Sequence, residues 1–571
     1  MQPLKRQKYI ILTFLLCINL ITVSTFIVYA DKWYIYLFIL ALATVVNASS
    51  VLLLLGHKIS TNPKTIQVYR VKPVNYTYII PCYNESESEL TASLDSLVTQ
   101  HRIPGDRCSL FIICDGKVIG NGNFTSTDII LKDILNPEDS ERAKFDYTTW
   151  DNEKNTVEIS TGVYKEIPYL LLVKARNYGK RDSLVLARKL CYNYNERITD
   201  DAMIRTDMMF YIGNFLSNIH NKIEYMIGID ADTVFDYNCS YELIKTIEED
   251  NTVQGCVGFV DICPKMNPWN LFVLYQYAEY WFAQCLRRQA QSLITGKVSC
   301  LSGCNQILRV SYETCGEKIL SRFNYLPREN EHIFHHIRSY ASEDRNHVCL
   351  MLSMYPHVKT RQTLKAIAYT VVPTSISVFM SQRRRWSLGA NANDLLLTYL
   401  PGINIFERIS AGVNILTYSL APFICVATGY FIHSILTYPT YLMLYLSIPI
   451  LIIIGYSFII PIFIKPLAFR SALYYYLSYL LFVIFGSIIN LFVYLNSIGN
   501  MDIIKWGKTR SLSLNTHVRK TEEISDLDLQ YDDMIYDNVL KMPNLKETVD
   551  LKKTLHLKET PEVDEDMECY V

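Results

Sequence analysis

The chain has 571 residues, half of them hydrophobic, and its 55 basic residues nearly balance its 56 acidic residues. This length exceeds that of one small domain, and the balanced charge argues against a nucleic-acid partner, whose binding needs a basic excess. The apolar residues are concentrated in long runs near both ends, so we predict a soluble domain held between membrane spans.

Two apolar runs open the chain, at 9–30 and 33–55, and each is long enough to cross a hydrocarbon core, which takes about 20 helical residues. The first run is preceded by the basic residues Lys5, Arg6 and Lys8. The positive-inside rule then places the N-terminus and the chain after residue 56 in the cytosol. A cleaved signal peptide is the alternative for the first run, but no small-residue cleavage site stands out. We predict a transmembrane hairpin over 1–56.

Between about residues 75 and 310, short apolar runs alternate with amphipathic stretches, as is typical of a parallel α/β sheet. The candidate strands are 76–80, 110–114, 169–173, 225–229 and 255–260. Polar clusters follow three of these strands: Cys82-Tyr83-Asn84-Glu85, Asp115-Gly116 and Asp230-Ala231-Asp232. Open α/β sheets bind ligands at the carboxyl ends of their strands, so we expect these clusters to meet in one site.

Further apolar runs at 411–436, 439–464 and 471–498 are long enough to span a membrane. Three full crossings would place the following segment outside, whereas a last run broken at Gly486 would return it to the cytosol. The aromatic-rich stretch 271–288 has helical spacing and suits an amphipathic helix at the membrane surface, with a core helix as the alternative. The charged tail from about residue 510 has the composition of a disordered segment.

The pair Asp230 and Asp232 follows a predicted buried strand at a spacing that suits a metal ion. Mg²⁺ or Mn²⁺ held by one or two carboxylates neutralises the diphosphate that leaves a nucleotide-sugar donor. Two acids at a strand end are also common as solvated residues or helix caps. We predict that this pair of carboxylates is placed to hold a metal ion.

A second acidic pair, Glu343 and Asp344, starts a predicted helix and is followed by Arg345. Transfer of a sugar with inversion needs a general base that takes the proton of the acceptor hydroxyl. The alternative is an acidic first turn that only complements the helix dipole. We predict that the pair is catalytic and that Asp344 is the base.

Two basic segments suit phosphate binding. Arg383, Arg384 and Arg385 stand directly before Trp386, so that guanidinium groups could clamp phosphates while the indole packs on a sugar ring. A juxtamembrane patch that touches lipid headgroups is the alternative. Lys180 lies in a Gly-containing turn between a strand and a helix, without the spacing of a Walker loop.

In this combination and order, the sequence resembles the chitin synthases, within the processive inverting glycosyltransferases that include cellulose and hyaluronan synthases. The resemblance covers roughly residues 75–510. It is carried by several stretches: Ile112-Ile113-Cys114-Asp115-Gly116, Gly179-Lys180-Arg181-Asp182-Ser183, Asn267-Pro268-Trp269 with Gln276 and Glu279-Tyr280, Ser302-Gly303-Cys304, and Ser381-Gln382-Arg383-Arg384-Arg385-Trp386.

The resemblance implies a Rossmann-like α/β GT-A domain in the cytosol combined with an α-helical transmembrane region. It implies processive transfer of N-acetylglucosamine from UDP-N-acetylglucosamine to the non-reducing end of a β-1,4-linked chitin polymer, with inversion, dependent on Mg²⁺ or Mn²⁺, and with export of the polymer through the spans. Synthesis of hyaluronan or cellulose, and a non-catalytic transporter or scaffold, are the alternatives.

The matching residues take their expected roles from the resemblance. Around the donor these are Tyr83, Glu85, Asp115, Lys180 and Asp230, and at the pyrophosphate, acceptor and polymer they are Gln382, Arg383, Arg384, Arg385, Trp386 and Cys304. The metal ligand is Asp232, and the catalytic residues are Asp344 and Glu343. Residues 506–510, Trp-Gly-Lys-Thr-Arg, resemble a cytosolic segment near the active site.

The predicted organisation is a hairpin at 1–56, a catalytic domain at 57–365, an interfacial segment at 366–410, channel helices at 411–500 and a final segment at 501–571. The expected partners are the donor, the chitin chain and the lipid bilayer of the plasma membrane, without nucleic acid; a homo-oligomer is left open. One departure from the family concerns Ser387-Leu388-Gly389-Ala390-Asn391, where many chitin synthases carry a different sequence. We expect this departure to affect acceptor contacts.

Overall fold

A computed structural model of the chain describes residues 3–29, 32, 36–60, 70, 72–120, 123–136, 142–437 and 441–503. All of them belong to one compact unit, residues 1–512. The predicted Trp-Gly-Lys-Thr-Arg segment at 506–510 and the charged tail lie outside the described residues.

Ten strands in the described residues form a single sheet. They are β1 (Asn75–Cys82), β2 (Arg107–Cys114), β3 (Arg142–Thr148), β4 (Lys154–Tyr164), β5 (Ile167–Lys174), β6 (Tyr225–Gly228), β7 (Val234–Phe235), β8 (Val253–Ile262), β9 (Gln306–Arg309) and β10 (Lys359–Thr370).

Seventeen α-helices accompany the sheet within the same described residues. The first ten are α1 (Pro3–Val28), α2 (Leu37–Ser60), α3 (Glu87–Val98), α4 (Thr127–Leu135), α5 (Gly179–Glu196), α6 (Thr206–Ser217), α7 (Cys239–Glu248), α8 (Leu271–Phe282), α9 (Tyr312–Cys315) and α10 (Glu317–Phe323). The others are α11 (Ile333–Ala341), α12 (Glu343–Met354), α13 (Ile376–Tyr399), α14 (Ile405–Ser419), α15 (Ala421–Thr437), α16 (Tyr441–Ile459) and α17 (Phe469–Gly499). Short π-helical segments follow α8 and α16, at Ala283–Arg288, Gln291–Thr295 and Ile460–Ile464.

The strand order is β3-β4-β5-β2-β1-β6-β9-β8-β10-β7. The pairs β5-β2, β2-β1, β1-β6 and β8-β10 are parallel, while the others are antiparallel. The central strands are almost wholly buried, because helices cover both faces of the sheet. The α/β prediction and the five candidate strands are therefore confirmed, but the sheet is mixed rather than parallel throughout.

The carboxyl ends of β1, β2 and β6 meet at one edge because these strands are parallel neighbours in register: Ile79 of β1 lies opposite Phe111 of β2 and Gly228 of β6. The polar residues that follow each strand are brought together there. The edge between β1 and its two partners is the position at which open α/β sheets bind ligands.

Within the described part of the chain, four helices are long and apolar enough to cross a membrane: α1, the part of α2 from Ala41 to Ser60, Met443–Ile464, and α17. The bent pair of α14 and α15 qualifies as a fifth span. The predicted combination of an α/β domain with membrane-length helices is confirmed.

The long helix α17 continues through Gly486 without a break and packs along the α/β domain. Near its start Tyr474 donates a hydrogen bond to the carbonyl of Pro268 (2.9 Å), and near its end Asn496 donates one to the carbonyl of Met380 (3.2 Å). Just beyond α17, Asp502 forms an ion pair with Lys8 at the start of α1 (2.7 Å). The described chain therefore ends beside the start of α1.

The stretch predicted as an amphipathic surface helix or a core helix is continuous from α8 into the π-helical segment that follows. Trp281 is fully buried and packs edge-on against Phe259 of the sheet, at 5.1 Å between ring centroids, while Tyr275 contacts Phe482 of α17 at 5.6 Å. Only its first residue, Leu271, is strongly exposed among its large apolar side chains. α8 is thus buried between the sheet and α17.

The predicted span 411–436 is interrupted, because α14 and α15 are bent by 83° at Leu420. Backbone groups at such a bend lose their helical partners and must find others where water is excluded. The side chain of Asn19 in α1 provides both a hydrogen-bond donor and an acceptor at the bend. It donates to the carbonyl of Ser419 (2.8 Å) and accepts from the amide of Phe423 (3.2 Å). A residue of another helix thus caps both halves of the bend.

We expect Asn19→Leu to destabilise the protein, because it removes the partner of the Phe423 amide and leaves the carbonyl of Ser419 with the longer hydrogen bond from Tyr494 (3.4 Å). An unsatisfied buried group costs about 1–3 kcal/mol. The measurement is thermal unfolding in detergent micelles. Thr22→Val is the matched control, since the Thr22 hydroxyl bonds only to carbonyls of its own helix. Equal losses of stability in the two variants would contradict the capping role of Asn19.

Candidate functional site

The centre of the site is the ammonium of Lys180, at the start of α5. Its Nζ lies 2.6 Å from Asp230 Oδ1, 3.9 Å from Glu343 Oε1 and 4.0 Å from Asp344 Oδ2. Burial alone would lower the pKa of Lys180, but the charges of Asp230, Asp344 and Glu343 outweigh this effect and raise it. The structure therefore brings together four predicted site residues that three different parts of the sequence supply.

Asp344 lies in the first turn of α12 with 21% of its side chain exposed. Its Oδ2 accepts a hydrogen bond from the backbone amide of Gly303 (2.9 Å), while Oδ1 has no partner among the described residues. Burial raises its pKa to about 6, against the opposing charge of Lys180 and with support from Glu343 and Asp230. At pH 7 this carboxyl is ionised in most molecules and retains a free acceptor oxygen.

Asp115 follows β2, and its carboxylate is bound by residues at the end of β5 and in the loop after it. Its Oδ1 accepts from Lys174 Nζ (2.8 Å) and from the amide of Tyr178 (3.1 Å). Lys174 also pairs with Asp182 (2.8 Å), and its side chain is fully buried. Burial alone would lower the pKa of Lys174, but the charges of Asp182 and Asp115 outweigh it and raise it. Lys174 therefore fixes the loop that precedes Lys180.

The loop after β1 carries Tyr83 and Glu85. The Glu85 carboxylate accepts hydrogen bonds from the backbone amides of Tyr83 (2.6 Å) and Asn84 (3.1 Å), which shapes a tight turn. The Tyr83 side chain is exposed. Asp232 lies two residues after Asp230, in a turn in which the amide of Thr233 donates to the carbonyl of Asp230 (3.0 Å). The loops after β1 and β6 thus project from neighbouring strands.

Arg383 is held by α8. Its Nη2 donates to Glu279 Oε2 (2.5 Å) and Gln276 Oε1 (3.1 Å), and its Nη1 donates to Gln382 Oε1 (2.6 Å). The guanidinium also lies over the Trp386 ring, at 4.4 Å from the centroid. Arg383 therefore packs on one face of the Trp386 indole and holds it in place.

Arg384 and Arg385 are buried on α13, whereas 45% of the Trp386 surface is exposed. Burial lowers the pKa of Arg385, and the charge of Glu343 opposes this shift. The ring of Trp386 lies beside that of Tyr280, at 6.1 Å between centroids. The motif thus leaves part of the Trp386 ring exposed, and the charge of Arg385 interacts with that of Glu343.

Cys304 lies between these two groups of residues. Burial raises its pKa to about 12, with a further contribution from the charge of Asp230. Its sulfur is 3.3 Å from the hydroxyl of Ser302. The buried thiol is therefore protonated at neutral pH.

A cavity of about 720 Å³ opens beside Trp386. Its wall combines apolar residues of α15 and α17 with polar side chains, namely Glu279, Arg287, Asn391, Asp394, Asn414, Thr417, Ser487 and Asn490. A mixed polar and aromatic lining suits a carbohydrate, whose rings have apolar faces and polar edges. The described residues contain no cluster of three side chains that could hold a metal by themselves.

Several residues of the site were not predicted from the sequence. Gly303 was noticed only as part of a motif, and its role as the donor to Asp344 depends on the fold. Gln276 and Glu279 were likewise noticed without a partner, which proves to be Arg383. Arg181, next to Lys180, faces away and donates to the carbonyls of Phe323 and Arg338.

Comparison with known proteins gives one consistent family. The sequence model described as chitin synthase matches residues 50–539. Chitin synthase 8 of Gibberella zeae is 35% identical over 503 residues, 85% of this chain and 74% of that protein. Chitin synthase 8 of Verticillium dahliae is 34% identical over 460 residues, 74% of each chain.

Two solved structures are similar at 11% identity. The mannosyltransferase PcManGT of Pyrobaculum calidifontis, in complex with GDP-Man and Mn²⁺, matches with a TM-score of 0.38 over 79% of this chain and 99% of that chain. The S. aureus protein TarS matches with a TM-score of 0.28 over 76% of this chain and 55% of that chain.

The buried pair of carboxylates around Lys174 leads to a prediction about stability. Lys174→Met leaves Asp115 and Asp182 buried without their cation, so we expect a loss of about 3–5 kcal/mol in the free energy of unfolding. Lys165→Met is the control, because Lys165 forms an exposed pair with Asp95 whose loss costs about 0–1 kcal/mol. Thermal unfolding measures both variants, and similar values would refute the structural role of Lys174.

Proposed function

The chain belongs to the chitin synthase family and is a glycosyltransferase, and from this premise we propose that it extends a β-1,4-linked polymer with N-acetylglucosamine from UDP-N-acetylglucosamine, with inversion. The observation that supports this best is the geometry of Asp344. One oxygen accepts a hydrogen bond from Gly303, the other is buried and has no hydrogen-bond partner among the described residues, and a pKa of about 6 keeps the group ionised at pH 7.

The proposed step is a displacement at C1 of the donor sugar. The acceptor hydroxyl oxygen forms the new bond to C1, the bond from C1 to the UDP oxygen breaks, and the hydroxyl proton passes to Asp344. UDP leaves with the electron pair of the broken bond. Lys180 and Arg385 lie near the acidic pair and would offset the charge that develops on the leaving diphosphate.

A divalent cation, Mg²⁺ or Mn²⁺, fits the residues that follow β6. Asp230 has 36% of its side chain exposed, and Asp232 lies in the same turn. Two carboxylates together with substrate phosphates are a usual ligand set for Mg²⁺, which rarely occupies an all-protein cage. We propose that Asp232 holds the ion beside Asp230, where it would neutralise the diphosphate. Tyr83, Glu85 and Asp115 would then contact the nucleoside.

We propose that the cavity beside Trp386 receives the growing polymer. Arg383 stacks on the indole and keeps it facing the cavity, and Gln382 ties Arg383 in place, so these residues would act on the polymer through Trp386. Cys304 lies at the junction of the acidic cluster and this aromatic group. A cavity beside Trp386 that is lined in part by membrane-length helices suits export of the product as it grows.

The location proposed for the catalytic domain is the cytosolic face of the plasma membrane. Basic residues flank the start of α1, and the ion pair between Lys8 and Asp502 supports a position of the end of the described chain on the same side. This contact favours the alternative to three full crossings, with the bend between α14 and α15 rather than Gly486 as the break.

The proposed function is tested by label incorporation from UDP-N-acetylglucosamine into insoluble product, in membranes that contain the full chain with Mg²⁺ or Mn²⁺. We expect a product that chitinase digests, and none after chelation. Asp344→Asn should reduce turnover by about 100- to 10,000-fold, the usual contribution of a general base, while donor binding persists.

Other outcomes of this assay point elsewhere. Incorporation from UDP-glucose or UDP-glucuronate alone would replace chitin by a cellulose- or hyaluronan-type product. Turnover of Asp344→Asn close to that of the unchanged enzyme would reject the assignment of the base.

A second prediction concerns Gly303. A Cβ at this position would lie 2.6 and 2.8 Å from the two carboxylate oxygens of Asp344 and 2.9 Å from Lys180 Nζ. Because both side-chain ends can move, we expect Gly303→Ala to fold but to displace the base, with kcat lower by about 10- to 100-fold.

Gly213→Ala is the control for this change, since no atom lies within 4 Å of a Cβ there. Its kcat should match that of the unchanged enzyme. Steady-state kinetics of UDP release compares the two variants. Full activity of Gly303→Ala would show that the contact with Asp344 is unimportant.

A further inference from the structure

Asp394 is a buried carboxylate that the chemistry proposed above does not use. It lies on α13, with 2% of its surface exposed. Its partners come from three other segments: Arg345 of α12 (2.6 Å), Asn414 of α14 (3.0 Å) and Arg287 of the π-helical segment after α8 (3.5 Å). A buried charge with partners on three segments holds those segments at fixed distances from one another.

Arg345, the main partner, is the residue directly after the base. α12 starts at Glu343, and Ser342 before it makes no side-chain cap to the helix. The first turn is instead tied to α13 by two contacts, the pair of Arg345 with Asp394 and a hydrogen bond from Asn346 to Asn393 (3.1 Å). The position of the base therefore depends on α13.

Asp394 also lies in the wall of the cavity that Trp386 faces. The same carboxylate thus contacts the helix that carries the base and borders the space proposed for the polymer. We propose that Asp394 is a positioning residue, which through Arg345 holds Asp344 at the correct distance from the acceptor end of the polymer. This inference rests on the proposed role of Asp344 as the base.

A neutral side chain at position 394 would not hold Arg345 in place. Without the carboxylate, the buried Arg345 guanidinium loses its counter-charge, and an unpaired buried cation is costly. The nearest remaining acids on its own helix turn are Glu343 and Asp344. Relaxation of Arg345 towards them would displace the base, while the donor residues around Asp115 and Asp230 belong to other segments and would stay in place.

Asp394→Asn tests this inference, because it keeps the size of the side chain and removes its charge. We expect kcat to fall by about 10- to 100-fold, since a displacement of about 1 Å can reduce a rate by about 100-fold. The KM for the donor should stay within about twofold. Asp394→Glu retains the charge and should recover part of kcat.

Glu407→Gln is the matched control. Glu407 is also a buried acid, on α14, but it accepts hydrogen bonds only from the neutral side chains of Gln291 and Thr295, at 2.8 Å each, as far as the described residues show. Its kcat should remain within about twofold of the unchanged enzyme. A loss of kcat in Glu407→Gln as large as in Asp394→Asn would indicate general packing damage and overturn the proposal.

The donor that the unchanged enzyme uses is measured first, so that a failure of the proposed function can be told from a failure of this inference. If that enzyme uses a different UDP-sugar, the same variants are compared with that donor, because the positioning of the base does not depend on the sugar. Equal kcat values for Asp394→Asn and the unchanged enzyme would overturn the inference. A loss of kcat/KM that comes entirely from a higher KM would also overturn the inference. If Asp394→Asn does not accumulate in the membrane, a kcat of Asp394→Glu equal to that of the unchanged enzyme, despite its displaced carboxylate, would overturn it as well.

Discussion

The site depends on one ammonium group surrounded by acids. Lys180 lies within 4.0 Å of Asp230, Glu343 and Asp344, and these residues come from the end of a strand and the start of a helix far apart in sequence. Coulomb attraction in a partly buried site is strong enough to hold such groups together. The charges of Arg181, Arg188 and Arg385 also act on Glu343. The grouping of three acids around Lys180 has two consequences.

The first consequence is the raised pKa of Asp344, to which Glu343 and Asp230 contribute after burial itself. A base with a pKa near 6 is ionised at pH 7 yet basic enough to accept a proton during reaction. The second consequence is that Asp230, with 36% of its side chain exposed, presents a carboxylate beside which we propose the divalent cation. The proposed base and the proposed metal thus depend on the same group of acids.

The sequence predicted the α/β class, the central strands and the chemical residues that follow them, because buried strands and strand-end clusters are local patterns. It did not predict β3, β4, β7, β9 and β10. The strands β9 and β10 pair with strands distant in the sequence, and β3 is an edge strand with few buried residues. Nor could it show that Arg383 binds Glu279, 104 residues away, or that Asn19 caps a bend 400 residues away. In each case one segment alone predicts something else: the sequence around Arg383 is typical of a basic patch, and the sequence around Asn19 is typical of an apolar span.

The departure from the family after Trp386 acquires a structural meaning from the contact between α12 and α13. A Cβ on Gly389 would lie 2.4 Å from Cβ of Ser342, the residue directly before α12. Glycine inside a helix costs about 1 kcal/mol relative to alanine, so its presence is best explained by this close approach. Ser387 and Asn391, on either side in the same segment, line the cavity. The segment therefore combines two roles along one helix: its glycine sets how closely the start of α12 approaches α13, and its polar residues face the cavity proposed for the polymer. A change here would alter the rate through the position of Asp344 as well as the contacts with the acceptor.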